Sequence, residues 1–455
     1  MTSSSSARMR AAGMEPATAA RHAGRLAALV ASLRDMGGPR TASVSRFWVP
    51  GHIEVLGKHT DYAGGRSLLC AVDRGILMVA APRDDARMRI LDASIMEVVE
   101  CDIGPDLSGP IGHWGNYPMT VARRMARDFP TLARLRGADI VFGSDLPLAA
   151  GMSSSSALIV ATFLALADTN DLRALPEFVQ HIADSEHLAG YLGAVENGWS
   201  FGGLSGDTGV GTLGGSEDHT AILCGRPGKL VQYSFRPVRL LREVALPEGY
   251  VFAIGVSGVR AEKTGAAREL YNRASRGMSV IAEIWRHATG RQDATAAAAI
   301  ASSPGALDEL REIVAAADAS DTGFTPRELL TRLDHFVGES EEIVPAATDA
   351  LARGDLAAFG AIVDRSQERA ERLLENQIDE TRELARGARE LGAVAASAFG
   401  AGFGGSVWAL VRSEGSSEFL QRWEQRYRAR FPTASPGDDQ SFFITTAGPS
   451  AIRIE

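Results

Sequence analysis

The chain contains little cysteine, no long apolar run and no excess of positive charge, and each shortage excludes a class of protein. Its three cysteines, Cys70, Cys101 and Cys224, are too few and too far apart for a disulfide framework or a zinc site. No apolar run reaches the roughly 18 residues that a membrane-spanning helix needs. The net charge of −9 argues against nucleic acid or an anionic membrane as a partner. We therefore expect a cytoplasmic protein that binds neither.

The length of the chain predicts two domains with a cleft between them, because 455 residues are too many for one compact core. Hydrophobic residues make up 45% and charged residues 23%, as in ordinary globular proteins. The first segment is rich in Ser, Ala and Arg but lacks the apolar core of a secretory signal. It predicts a disordered leader or an overlong start. The expected parts are residues 1–40 (flexible leader and first helix), 41–245 (N-terminal domain) and 246–455 (C-terminal domain).

The most informative segment is LPLAAGMSSSSA at residues 146–157, which joins a proline turn, a glycine and four serines to an apolar helical run. Gly151 allows close backbone approach, and the serines provide hydroxyl groups at the start of the helix. A helix N-terminus offers N–H groups and a positive dipole end to an anion. The strand-like run 138–142 precedes it. The segment therefore predicts a cradle for nucleotide phosphates, with an ordinary capped helix as the alternative.

Alternating and helical patterns follow one another along the chain. After Pro247 the strand-like run 250–257 opens a region dominated by helical patterns, which a strand at 406–411 closes. Earlier in the chain, strands are predicted at 45–49, 76–81, 88–91 and 97–103, and helices at 118–127, 154–167 and 176–192.

Two further motifs, VPGHIEVLGKHTDYAGG at residues 49–65 and SAFGAGFGGSVWALV at 397–411, give the cradle a family context. The three motifs together resemble those of the GHMP kinases, and they occur in the right order. HTDY followed by LLCAVDRG resembles the galactokinase branch in particular. Weaker similarities lie at WGNY (114–117), GGSEDH (214–219) and LYNR (270–273). The resemblance covers roughly residues 41–455.

The resemblance implies a fold and an activity. The fold is the α+β, two-domain GHMP kinase fold, with an S5-domain-2-like N-terminal domain, a ferredoxin-like C-terminal domain and the active site between them. The activity is transfer of the γ-phosphate of ATP to the anomeric C1 hydroxyl of galactose or a close relative, with ATP and Mg²⁺ as cofactors. The expected partners are a small sugar and ATP, and the expected oligomeric state is a monomer or a weak dimer.

On the nucleotide side, the resemblance implies a phosphate cradle and a metal site. One cradle hydroxyl, Ser154 or Ser155, is expected to ligate Mg²⁺ together with Glu196 of the ENGWSF segment, and Glu186 is a rival match. One or two protein oxygens suffice, because Mg²⁺ keeps several waters. Glu196 as a solvated helix end is the alternative. The predicted ATP-binding residues are Gly151, Met152, Ser153, Ser154, Ser155, Ser156, Trp114 and Asn116.

On the sugar side, Asp218 of GGSEDH is the predicted catalytic residue, either as general base or as an anchor for the reacting hydroxyl. A helix-capping aspartate is the alternative. By resemblance, His59 and Asp61 bind sugar hydroxyls, and Gly215 and Tyr271 lie beside the sugar. An insertion at 202–213, which galactokinases usually lack, predicts a mobile flap near the mouth of the site.

Three positions depart from the family motif: His52 replaces an arginine, Glu54 an asparagine and Lys58 a glutamate. His52 is assigned to the catalytic group but lacks the planar, always charged fork of arginine. Lys58 stands where the family glutamate contacts the far end of the sugar, and lysine accepts no hydrogen bond. Either Glu54 and Lys58 form a compensated structural pair, or Lys58 contacts an acceptor on the substrate, such as the carboxylate of a uronic acid or a group on a modified hexose.

A different class of function stays open, a non-catalytic sensor of galactose and ATP on the same scaffold. The loss of arginine at His52 favours it slightly. The intact cradle, Glu196 and Asp218 argue against it, because a sensor need not retain them. A mevalonate or homoserine kinase is disfavoured, because those kinases lack the HTDY element.

Overall fold

The computed structural model describes residues 2–37, 44–130, 135–147, 151–259, 265–433 and 441–455. The strands in this part of the chain are β1 (Ser45–Leu56), β2 (Arg66–Pro82), β3 (Arg87–Asp92), β4 (Glu97–Asp102), β5 (Ala138–Ser144), β6 (Lys229–Ser234), β7 (Arg239–Ala245), β8 (Tyr250–Val256), β9 (Ala395–Ala398), β10 (Ser406–Arg412), β11 (Phe442–Thr445) and β12 (Ile452–Arg453).

The α-helices in the same residues are α1 (Thr2–Ala11), α2 (Pro16–Asp35), α3 (Asn116–Asp128), α4 (Ser154–Thr169), α5 (Pro176–His181), α6 (Ser185–Asn197), α7 (Glu217–Cys224), α8 (Gly265–Thr289), α9 (Ala296–Ile300), α10 (Ala306–Ala316), α11 (Pro326–Val337), α12 (Val344–Ala352), α13 (Leu356–Arg369), α14 (Asp379–Glu390) and α15 (Ser416–Arg430). None of these helices is both long and apolar enough to cross a membrane.

The larger sheet has the strand order β12-β1-β2-β5-β3-β4, and β6 and β7 extend it from β2. The long strand β2 makes this possible, because its first half pairs with β6 and its second half with β5. β1 is buried along its whole length, and α4 packs across β1 and β2. The antiparallel pairing of β1 with β2 shifts register beside His52 and beside Glu54. Such bulges re-aim side chains next to functional sites.

The N-terminal segment differs from the expected disordered leader within residues 2–37. α1 and α2 pack their apolar faces against the outer side of the large sheet, where Leu26 and Leu33 share a buried cluster with Trp48 and Leu77. Apolar residues in α2 recur at the three- and four-residue spacing of an amphipathic helix, and this stripe covers the sheet. Residues 1 and 38–40 of the predicted leader lie outside the described residues.

The smaller sheet is antiparallel with the order β11-β8-β10-β9. α14 and α15 cover one face, and the Trp423 indole donates a hydrogen bond of 3.0 Å to the carbonyl of Leu384. The helices from α8 to α11 form a separate apolar cluster that also includes Tyr62 of the HTDY motif. The two sheets and the intervening helices agree with the predicted α+β, two-domain fold.

Candidate active site

A cavity of about 780 Å³ lies where β1, the starts of α4, α7 and α8, and the turn at Gly400 and Ala401 meet. Its volume is within the range of ordinary ligand sites. Most of the predicted site residues line it: His52, His59, Asp61, Trp114, Asn116, Gly151, Ser153, Ser154, Ser155, Asp218 and Tyr271. The remaining ones, Lys58, Met152, Ser156, Glu196 and Gly215, lie behind this lining. Residues 148–150 of the predicted cradle are outside the described residues.

The serine-rich segment forms a strand-to-helix connection as expected, between β5 and α4. Gly151 has φ +80° and Ser153 has φ +56°, so the backbone turns sharply just before the helix begins. The Ser153 side chain makes no capping hydrogen bond to α4. The first N–H groups of a helix have no acceptors within it, and they favour an anion. Ser153, Ser154 and Ser155 at the start of α4 form part of the cavity wall. This part of the wall is suited to bind a phosphate group.

Behind this wall, Ser156 joins the cradle to two carboxylates. Its hydroxyl lies 2.8 Å from Oε2 of Glu196 and 3.1 Å from Oδ2 of Asp218. Ser156 and Glu196 are almost fully buried. Nε2 of His219 lies 3.0 Å from the same Glu196 oxygen. The serine in contact with Glu196 is thus Ser156, whereas the predicted ligands Ser154 and Ser155, two and one residues earlier, line the cavity.

Glu196 rather than Glu186 is the glutamate that meets the cradle. Both belong to α6, but Glu186 is in its first turn and Glu196 is next to its last residue. Ten helical residues span about 15 Å, so Glu186 is remote from Ser156. A hydroxyl and two carboxylates are the oxygen ligands that Mg²⁺ prefers, so the group fits this ion. Nitrogen from His52, which lies with Glu217 and Asp218 in a second potential ligand cluster, suits Mg²⁺ less well.

Asp218 and His52 form the contact at which transfer is expected. Asp218 stands in the first turn of α7, and its Oδ1 lies 3.4 Å from Nε2 of His52 on β1. The Asp218 side chain is 23% exposed and reaches the cavity, while His52 is 2% exposed. A partly exposed carboxylate beside an imidazole can accept a proton from a hydroxyl group that is bound in the cavity.

Asp61 is held in place by backbone donors. Its Oδ1 accepts a hydrogen bond of 2.8 Å from the N–H of Tyr62, and its Oδ2 accepts one of 3.1 Å from the N–H of Glu217. A Cβ atom on Gly215 would lie 2.1 Å from Oδ2 of Asp61. Gly215 therefore acts through Asp61, because only glycine lets the two segments approach so closely.

His59 and Tyr271 form an aromatic wall beside Asp61. The His59 ring lies 5.0 Å from the Tyr271 ring, and its Nδ1 is 2.9 Å from the Tyr62 hydroxyl. His59 has φ +56°, an uncommon conformation for a residue other than glycine. Burial raises the pKa of Tyr271 well above its usual value, and the nearby carboxylates Asp61 and Asp218 add to this effect. Tyr271 therefore keeps its proton and can donate a hydrogen bond.

Arg332 supports this wall from α11 and was not predicted from the sequence. Its Nη2 donates to the Tyr62 hydroxyl at 2.9 Å and also to the carbonyl of His59. The guanidinium is buried among helices that lie 270 residues further along the chain. Arg332 belongs to no motif, and only its buried contacts identify it.

Lys58 does not reach the cavity. Its ammonium donates to Ser397 Oγ at 2.8 Å and to Ser366 Oγ at 3.2 Å, and the side chain is fully buried. Glu54 lines the cavity instead; burial raises its pKa to about 7, and the positive charge of Lys58 partly opposes that rise. The predicted contact of Lys58 with the substrate does not fit this placement. The ammonium group points away from the cavity and lies between the sugar motif and the C-terminal region. The alternative interpretation, in which Glu54 and Lys58 form a compensated structural pair, describes the position of Lys58 better.

The insertion at 202–213 is a packed loop, in contrast to the expected mobile flap. Asp207 forms a buried ion pair of 2.7 Å with Arg123 on α3, and its other oxygen accepts a hydrogen bond from the N–H of Gly209. The N–H of Val210 donates to the carbonyl of Glu196 at 2.8 Å. Val210 and Thr212 line the cavity. A buried ion pair and backbone hydrogen bonds fix the loop as one wall of the site.

Comparison with known proteins identifies the family of this chain. Three family models match the chain: "GHMP kinases N terminal domain" at residues 116–197, "GHMP kinases C terminal" at 347–429 and "Galactokinase galactose-binding signature" at 42–82. A galactokinase of Chloroflexus aggregans is 30% identical over 387 residues, which cover 84% of this chain and 87% of that protein. The chain belongs to the galactokinase family of GHMP kinases.

Other members of the galactokinase family and of the GHMP fold are similar over nearly the whole chain. The galactokinase of Chloroflexus aurantiacus is 27% identical over 89% of this chain and 93% of its own. The crystal structure of Lactococcus lactis galactokinase complexed with galactose superposes with a TM-score of 0.73 at 23% identity, covering 94% of this chain and 99% of that one. The crystal structure of Methanococcus jannaschii mevalonate kinase superposes with a TM-score of 0.54 at 13% identity, covering 90% of this chain and 99% of that one. The predicted family and fold are confirmed.

Proposed function

We propose that this galactokinase-family protein transfers the γ-phosphate of ATP to the anomeric C1 hydroxyl of galactose or a closely related sugar. The observation that carries the proposal is a single cavity that joins the start of α4, the HTD motif and Asp218. Phosphoryl transfer depends mainly on positioning and on charge stabilisation, and these three elements supply both.

In the proposed reaction, Asp61 accepts hydrogen bonds from sugar hydroxyls, and His59 and Tyr271 enclose the sugar ring. The backbone donors that fix Asp61 orient its carboxylate before any ligand binds. Asp218 accepts the proton of the C1 hydroxyl as the phosphate is transferred, or anchors that hydroxyl. His52 contacts Asp218 and adds positive charge beside it when its ring is protonated.

We also propose Mg²⁺ as the cofactor, held by Ser156 and Glu196 with Asp218 close by. The 2.8 Å contact between the serine and Glu196 brings their oxygens together next to the phosphate cradle. When bound, Mg²⁺ neutralises charge on the phosphates. A cytoplasmic location and a monomeric or weakly dimeric state remain part of the proposal, and the three free cysteines support the location.

A coupled ADP-release assay over a panel of acceptors tests the proposed function. We expect turnover with galactose or a neutral relative, and little with galacturonate, because Glu54, Asp61, Glu217 and Asp218 place carboxyl groups along the sugar side of the cavity. Mevalonate should give none. Preferred turnover of galacturonate would support a uronic acid kinase, and binding of galactose and ATP without turnover would support a sensor.

A further inference from the structure

We propose that Arg268, near the start of α8, binds the phosphate chain of the nucleotide at the end that is transferred; this rests on the proposed function for the identity of the nucleotide. Arg268 lines the cavity. It lies three residues before Tyr271, so both side chains share one face of the helix. Tyr271 marks the sugar side of the cavity through its contact with His59. Arg268 is therefore about one helical turn from the sugar side.

The other neighbour of Arg268 is the inserted loop at 202–213. This loop is hydrogen-bonded to the end of α6, which carries Glu196 on the phosphate side of the cavity. A Cβ atom built on Gly211 would lie 3.4 Å from Nη1 of Arg268. Val210, just before this glycine, donates its N–H to the carbonyl of Glu196, and Thr212, just after it, donates to the side chain of Asn197 at 3.3 Å. The guanidinium thus lies between the end of α6 and the sugar side, where the transferred phosphate must pass.

The charges of the side chains that line the cavity indicate a role for Arg268 in phosphate binding. The cavity must hold a polyanionic nucleotide, yet five of its lining side chains carry carboxyl groups, namely Glu54, Asp61, Asp92, Glu217 and Asp218. Among the described residues that line it, Arg268 is the only lysine or arginine. Guanidinium groups bind phosphate oxygens through parallel, charge-assisted hydrogen bonds.

Within the part of the chain that the structure describes, Arg268 also differs from its neighbours on α8 in having no protein partner. Within the described residues it forms no ion pair, and its buried Nε has no hydrogen-bond partner. Further along α8, Arg273 pairs with Glu328 at 2.8 Å and Arg276 with Glu269 at 3.5 Å. Buried donors in native proteins are normally satisfied, so an orphaned guanidinium nitrogen at a cavity wall points to a ligand.

The inserted loop and α8 hold Arg268 in this position as one unit. Asn272 accepts a hydrogen bond of 2.9 Å from the N–H of Leu213 and donates one of 3.3 Å to the carbonyl of Gly211. The ion pair of Asp207 with Arg123 fixes the other side of the loop. The position where the family carries an arginine holds His52 here, and Arg268 restores a permanent positive charge to the same cavity.

The test compares nucleotide binding by the whole protein with Arg268→Gln, Arg268→Lys and the control Arg276→Gln. Isothermal titration with ATP, ADP and AMP reads out the contact without any need for catalysis. We expect Arg268→Gln to weaken ATP binding about 10- to 150-fold, the range for loss of a charged hydrogen bond, and to change AMP and galactose binding less than twofold. Arg268→Lys should recover part of the loss, and Arg276→Gln should bind like the wild type.

Unchanged ATP binding by Arg268→Gln would overturn the inference. A parallel loss of ATP, AMP and galactose binding would overturn it too, because that pattern indicates a structural role for Arg268. If the wild-type protein binds ATP but phosphorylates no sugar, the proposed function fails, while the comparison of ATP with AMP still decides the role of Arg268.

Discussion

The two ends of the cavity are built in different ways. The phosphate end is the start of one helix, and its proposed ligands are mostly backbone groups and serines that are adjacent in sequence. The sugar end combines side chains from β1, α7 and α8, and buried groups from α11 and α13 hold them in place. The cradle is thus one contiguous segment that Ser156 links to Glu196, whereas the sugar site depends on contacts among several distant segments.

The first prediction concerns Glu196 at the phosphate end. Glu196→Gln keeps the shape of the side chain but removes a charge beside Ser156, so we expect kcat to fall about 10²-fold or more and the Mg²⁺ requirement to rise. Glu186→Gln, at the opposite end of α6, is the matched control and should leave both unchanged. Steady-state kinetics over a Mg²⁺ series measures this. Equal behaviour of the two variants would remove Glu196 from the site.

The second prediction concerns stability at the sugar end. Lys58→Met removes the donor to Ser366 and Ser397 and leaves buried polar groups without their cation. We expect the free energy of unfolding to fall by about 2–4 kcal/mol, with the galactose KM changed less than about threefold. Lys229→Met, which breaks an exposed pair with Glu243, should cost about 1 kcal/mol or less.

Denaturant unfolding and galactose kinetics on the same preparations separate the two interpretations of Lys58. A stable Lys58→Met variant with a tenfold higher galactose KM would mean that Lys58 contacts the sugar after all.

A smaller effect is expected in the pH dependence of stability. Burial raises the pKa of Glu54 from 4.5 to about 7, so the folded protein holds a proton that the unfolded chain has lost between these values. The free energy of unfolding should therefore fall as pH rises through this window, by about 1–3 kcal/mol from Glu54. Glu217, whose pKa burial also raises, adds in the same direction.

Glu54→Gln should flatten this pH dependence in part, while the exposed Glu414→Gln should not change it. Unfolding curves at pH 5, 6, 7 and 8 give the comparison. An unchanged slope in Glu54→Gln would show that Glu54 is not the buried acid responsible.

The contrast also explains what the sequence could predict. The cradle, the HTD residues and Asp218 occur in short contiguous motifs, so their shared cavity follows from the resemblance. The choice of Ser156 over its neighbours depends on which helical face meets Glu196, and sequence spacing alone did not decide that. Within the fold, β6 and β7 were not predicted, and the expected helix at 176–192 is broken where Asp184 caps α6.

The missed features depend on contacts between distant segments. Arg332 supports the sugar motif from 270 residues away, and Lys58 turns toward serines of α13 and β9. The inserted loop looked mobile because of its glycines, but the ion pair of Asp207 with Arg123 fixes it. Patterns of single residues do not encode such pairings, because each partner is ordinary in its own local sequence.

Turnover and nucleotide binding by Asp218→Asn test the proposed phosphoryl transfer most directly. This change keeps the size of the side chain and removes the carboxylate that lies between His52 and Ser156. We predict that kcat with galactose falls about 10³-fold, within the range for loss of general base catalysis, while the Kd for ATP changes less than about threefold. An Asp218→Asn variant with turnover near that of the wild type would show that this cavity does not use Asp218 for phosphoryl transfer to a sugar.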